Sequence, residues 1–306
     1  MTSRRRTDQS FAFVLALLAS ACGNYSNEDL DFQLAVPEQA DIEAKLQVSV
    51  NRPDSAEYYK NTRSAVTTFN AMVVDLTQLV DHVRGYAPTS RSGNQRTWGP
   101  FPSGQYPNWQ VRVVMTKSTV SADLLHMDYE VDLRQVGQGD AAWVSFLAGN
   151  YTSQGSARTG QGAIHLLAQA VRADGYPVDD DPGLATLDHL DVTYDTTNYP
   201  RIVVMEITNL PSAATQSGRY QYSEAQDGSG SMQFDWQGLT DTGVQAAATM
   251  KSRWQGTGPG RADLILESTA IPITLGTDCW GADTTPTYTF RLQGNAATGD
   301  PQTCVF

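Results

Sequence analysis

Basic side chains, histidine and cysteine are all scarce in this chain of 306 residues. It carries 21 Lys and Arg against 33 Asp and Glu, a formal net charge of −12. A protein this acidic gains nothing from counterion release on DNA or RNA, which requires clustered basic residues, so nucleic acid is excluded as a partner. Anionic headgroups repel it for the same reason. The four histidines, His82, His126, His165 and His189, stand apart, and none sits in an HExxH spacing. There is no GxSxG elbow and no SxxK, and nothing points to a cofactor. Long apolar runs are missing as well. The best one, residues 11–21, has about eleven residues, and about twenty are needed to cross a hydrocarbon core as a helix.

That short run has a different use. Arg4, Arg5 and Arg6 precede it and Ala19-Ser20-Ala21 closes it, the three-part pattern of a secretory signal peptide over residues 1–21. Leu18-Ala19-Ser20-Ala21-Cys22 resembles the lipobox of bacterial lipoproteins, with Ala19 where leucine is favoured and Leu18 one place early. The resemblance implies cleavage before Cys22 and acylation of that cysteine, palmitate included. A lipid bilayer then becomes a partner through acylated Cys22. Several acyl chains hold stably where one holds marginally. Gly23, rather than aspartate, after the cysteine implies the outer membrane. The alternative is a plain secreted protein beginning at Cys22.

With Cys22 lipidated, Cys279 and Cys304 remain, and in an oxidising compartment a disulfide between them closes the count. Closing that loop contributes ~3.5 kcal/mol on chain-entropy reasoning. Two reduced, buried thiols are the alternative.

Residues 22–52 read as the lipidated terminus and a polar tether, with a helical fragment at 40–46. Residues 53–306 read as a single domain. Its helix is predicted over 55–84, where Tyr59, Thr62, Val66, Phe69, Val73, Leu76, Val80 and Val83 recur three and four apart, widened by Met72 and Leu79. Asp54 and Glu57 suggest a capping box, and Gly85 with Pro88 a stop. Such a rod is roughly 45 Å long, and its β-branched residues require tertiary packing to hold it.

The β body is predicted over 109–306, with about twelve short alternating strands starting at Trp109 and no helix long enough for a parallel crossover. One hairpin can be set in register. A loop ending at a left-handed Gly228 pairs Ala225 with Ser229, Tyr222 with Met232 and Tyr220 with Phe234. The expected fold is therefore mainly β, of α+β type. It is an antiparallel curved sheet or half-open barrel with the long helix on its apolar face. A two-sheet sandwich is the alternative. This architecture resembles the lipoprotein-carrier and lipid-acceptor folds of the bacterial envelope. "MKSRWQGTGPGRADLILES" and "LDVTYDTTNYPRIVVMEITN", with the terminal cysteine pair, are similar to a family of uncharacterised bacterial lipoproteins. That resemblance implies an exported β lipoprotein and no chemistry.

Candidate sites are few. Asp179, Asp180, Asp181 and Asp188 crowd into "DDDPGLATLDHLD", where calcium competes with an ordinary acidic loop; the spacing is not that of an EF-hand. His126 with Asp128, and His189 with Asp191, share strand faces as conceivable acid–base pairs. Trp109, Trp143, Trp236 and Trp254 fit an inner, core-facing side. Trp98, Phe101 and Tyr106 lie in a Pro/Gly-rich stretch taken as a loop, which makes them the candidate partner surface. The expected function is a non-enzymatic envelope lipoprotein that binds another envelope component. The alternatives are a carrier or sensor of an apolar ligand held between helix and sheet, and a wall or polysaccharide hydrolase with two converging carboxylates.

Overall fold

The computed structural model describes residues 26–34, 37–46, 52–84, 86–121, 124–156, 159–239, 243–267 and 272–304. Cys22 and the expected signal peptide lie outside them. So do Gly85 and the side chains of Leu79, Val80, His82 and Val83.

Short connections rich in Gly, Asp and Asn turn the chain back on itself, and every pairing is between consecutive strands and antiparallel. The strands are β1 (Ser90–Ser92), β2 (Gln95–Pro102), β3 (Trp109–Ser121), β4 (Leu124–Gln135) and β5 (Val144–Ser156). They continue as β6 (Thr159–Leu166), β7 (Leu187–Asp195), β8 (Arg201–Asn209), β9 (Thr215–Glu224) and β10 (Gly230–Leu239). Last come β11 (Gln245–Trp254), β12 (Gly260–Leu266), β13 (Ile273–Trp280), β14 (Pro286–Arg291) and β15 (Ala296–Gly299). They form one 15-stranded sheet, curved and not closed, with β1 and β15 as its edges.

The expected number of twelve strands is thus corrected to fifteen, and the sandwich is replaced by a single sheet. The strands missed are β1, β2 and β15. Gly99, Pro100 and Pro102 break the alternation of β2, and the structure absorbs them in a register shift between Trp98 and Phe101. Edge strands β1 and β15 are short and exposed, so neither carries an apolar pattern.

Alternation puts one row of side chains on the inner face. Met127, Tyr151, Tyr194, Val203, Tyr222 and Met232 lie in one row of register partners that crosses seven strands, with Gly162 between Tyr151 and Tyr194, and all six are buried. Gly162 interrupts the row for a reason: a Cβ there would lie 2.4 Å from the Tyr194 hydroxyl and from Asn150 O. The hairpin register set out above holds. Tyr222 faces Met232, Tyr220 faces Phe234, Ala225 N donates to Ser229 O at 2.8 Å, and Gly228 has φ +79°.

Among the described residues four α-helices accompany the sheet: α1 (Asn27–Leu34), α2 (Gln39–Ile42), α3 (Glu57–Arg84) and α4 (Ala168–Ala173). The apolar seam of α3 is buried at Tyr59, Thr62, Val66, Phe69, Val73 and Leu76 and crosses the concave face. Its first turn meets Trp280, with Tyr59 edge-on at 5.5 Å, and Phe69 lies against Tyr220. The expected Asp54–Glu57 box gives way to tertiary partners. Tyr58 N donates to Asp278 Oδ2 at 2.8 Å, and Glu57 pairs with Arg291.

The polar tether is corrected too. Residues 26–34 and 37–46 dock on the body instead of leading away from it, and the fragment expected at 40–46 is the single turn α2. Asp29 and Phe32 of α1 are buried. Asp29 binds Arg91 and Arg96, and the Arg96 guanidinium lies over the Phe32 ring. Further on, Asn70 of α3 holds Ala44 by both its N and its O, and Tyr222 Oη accepts from Lys45 N. Short stretches of alternating apolar and acidic residues gave no periodicity long enough to reveal this docking.

Candidate functional site: an apolar cavity between helix and sheet

Between α3 and the inner face of the sheet lies a partly open cavity of about 160 Å³. Met72 and Leu76 come from α3, Phe146 from β5, Leu166 from β6, Leu190 from β7 and Ile207 from β8. Leu166, Leu190 and Ile207 are register neighbours and so share the inner face, while Phe146 is the extra residue at a register shift in β5. Leu184, from the connection between α4 and β7, and Leu187, the first residue of β7, plug inward beside them.

Arg172 of α4 fixes that connection. Its guanidinium donates to Leu184 O at 2.9 Å, Ala185 O at 3.2 Å and Leu187 O at 3.1 Å, and its Nε pairs with Asp179 at 2.9 Å. Beneath it Tyr176 packs edge-on to Tyr106 and Trp109.

Two polar side chains, Asp75 and Asn209, reach this lining. No hydrogen bond or ion pair joins Asp75 to any described residue. Burial raises the pKa of its carboxyl, and the like charge of Asp181 raises it further. Asp75 lies on the flank of α3 between Met72 and Leu76. A carboxylate in that apolar stripe was the signal available in the sequence, and the sequence reading did not single it out.

The residues expected to matter fall elsewhere. Asp179 pairs with Arg172, Asp181 Oδ1 caps Gly183 N at 2.8 Å, and Asp188 lies 3.4 Å from His189. Among the described residues no three His, Cys, Asp or Glu side chains converge to hold a metal. Trp98 is not a partner surface: its ring is fully buried, with Nε1 donating to Tyr86 O. Phe101 and Tyr106 pack against the core, and Tyr106 Oη donates to Pro177 O. Trp109 and Trp254 are core residues. Trp143 instead has the Arg112 and Arg134 guanidinium groups over its ring at 4.4 and 4.2 Å.

Both histidine–aspartate pairs do meet, on the outer face. His126 Nε2 lies 3.2 Å from Asp128 and its Nδ1 2.8 Å from Thr152 Oγ1. His189 lies 3.6 Å from Asp191, which also takes His165 at 2.5 Å. The Thr152–His126–Asp128 chain has the connectivity of a nucleophile, base and orienting acid. The backbone N–H groups of β5 are taken up in the ladders with β4 and β6 and are not offered to an oxyanion there.

Cys279 and Cys304 form a disulfide with Cα atoms 5.4 Å apart. No described helix is long and apolar enough to cross a membrane. No family model matches the sequence, and neither a curated protein nor a solved structure matches it significantly.

Proposed function

We propose that this chain is a non-enzymatic bacterial envelope lipoprotein, anchored in the outer membrane through acylated Cys22, that senses a small apolar ligand held between α3 and the curved sheet. The cavity is the observation that supports the binding role. Its lining is mostly apolar, with Asp75 and Asn209 as two polar side chains, the make-up of a site for a small apolar guest. Size narrows the role further. About 160 Å³ is close to the ~150 Å³ void that takes up a benzene-sized molecule, far less than an acyl chain needs. That favours a sensor of a small compound over a carrier of lipid. The anchor rests on the run before Cys22 and the closed cysteine count.

Two measurements test the reading. Toluene should raise the melting temperature of the wild-type protein, and Leu190→Trp, which fills the cavity, should abolish the rise. Radiolabelled palmitate should mark the wild type and not Cys22→Ser. If neither toluene nor benzylamine raises the melting temperature the ligand reading ends, and unlabelled wild-type protein ends the anchor.

A further inference from the structure

A helix interior is a poor place for aspartate on two separate grounds. Its side chain competes for nearby backbone groups, and here it also stands beside apolar neighbours that desolvate it. Partially buried carboxylates are ordinarily matched by an arginine, a lysine or backbone N–H groups. This protein follows that pattern elsewhere: Asp29 has Arg91 and Arg96, Asp132 has Arg112, Asp263 has Arg261, and Asp278 has Arg291. Asp75 departs from it. Among the described residues the charge that acts on it is Asp181, of like sign, whose Oδ1 accepts from the lining residue Gly183. Sequences that satisfy local rules elsewhere break them chiefly at functional positions.

The cavity supplies the other half of the argument. Behind Asp75 lies a ring-sized apolar volume walled by Leu76, Phe146, Leu166 and Leu190, and Asn209 stands at the lining as a second polar group. A guest filling that volume meets a carboxylate that no described residue pairs with. A carboxylate or phosphate guest would be repelled by it. A cation would give Asp75 the charge-assisted hydrogen bond it lacks.

We infer that the cavity selects a small amine, with an apolar body about the size of one ring and an ammonium group seated on Asp75. This rests on the ligand-binding reading above and adds the chemical class of the ligand. The same carboxylate excludes fatty acids and other apolar anions, and so sets the specificity of the site.

The test is titration of the intact protein with benzylamine, toluene and benzoate, which share a ring and differ in charge. Benzylamine should bind at least about tenfold more tightly than toluene, and benzoate should not bind. Asp75→Asn should bring benzylamine down to the toluene level and leave toluene unchanged; Asp75→Ser serves the same purpose if the amide variant folds poorly. If toluene binds and benzylamine binds no better, the amine specificity is wrong while the cavity remains a binding site. If all three fail to bind, the ligand-binding reading fails and takes this inference with it. A preference for benzylamine that survives both variants also overturns the role of Asp75.

Discussion

Asp278 of β13 caps α3 from 220 residues away: its Oδ2 accepts from Tyr58 N at 2.8 Å. The first four amides of a helix have no partner within it, and here a buried carboxylate fills that need from another element. Arg291 completes the arrangement. It gives one nitrogen to Asp278 at 2.7 Å and another to Glu57 at 2.9 Å, with its guanidinium over the Tyr58 ring. The hydrogen bond to Asp278 is the chief reason the Arg291 pKa is raised.

Asp278→Ala leaves the Tyr58 amide and the Arg291 guanidinium short of an acceptor. Removing one member of a buried pair costs about 3–5 kcal/mol. The expected result in urea denaturation is a loss of about 3 kcal/mol, with α3 the first element to lose hydrogen-exchange protection. A change under about 0.5 kcal/mol would mean that the cap is dispensable.

Docking of α1 should depend on pH through Asp29. Burial raises its pKa, but hydrogen bonds from Arg91, Ser26 and Arg96 outweigh burial and hold the carboxyl well below the usual range. A depressed folded pKa gives stability that is fully present above the unfolded value near 3.9 and is lost as pH falls through the lower folded value. Amide hydrogen exchange in α1, corrected for its intrinsic pH dependence, should therefore stay protected down to about pH 4 and lose protection below it. Asp29→Asn should remove that protection already at neutral pH. Equal protection in the variant would show that Phe32 alone holds α1.

How far the sequence reveals this architecture varies from element to element. The hairpin from Tyr220 to Trp236 is legible because alternation and a left-handed glycine agree on one register. The seam of α3 is legible because its period repeats over seven turns. Strand β2 is hidden by Gly99 and Pro100, which read locally as a turn. The capping of α3 is hidden for another reason: Asp54 offers a plausible local partner, and nothing near it announces Asp278. The cavity is still less visible, since α3, four strands and the Arg172-clamped connection meet only in the folded chain. Only Asp75, charged within an apolar stripe, marks it in one dimension.

The Cys279–Cys304 disulfide ties the C-terminal segment to β13 across β14 and β15. Those last two strands form the edge of the sheet, and β15 is exposed throughout. Cys304→Ser should lower stability by up to about 3.5 kcal/mol. Hydrogen exchange should quicken in β14 and β15 before it quickens in β9 or β10. A uniform change across the sheet would argue that the bridge acts on the unfolded chain alone.

Asp75 also yields a prediction about stability that needs no ligand. Its folded pKa is raised, so the unfolded chain ionises more readily than the folded one. The folded state loses ground as pH rises from the unfolded value through the folded one. Asp75→Asn removes that penalty while keeping size and shape. At about pH 3, where the carboxyl is protonated in both states, variant and wild type should melt together. At neutral pH the variant should be more stable by about 1 kcal/mol, within the range common for relieving a functional compromise. The measurement is a pair of thermal melts at each pH. A variant less stable than wild type at neutral pH would mean that Asp75 has a structural partner after all, and the carboxylate would no longer be free to meet a guest.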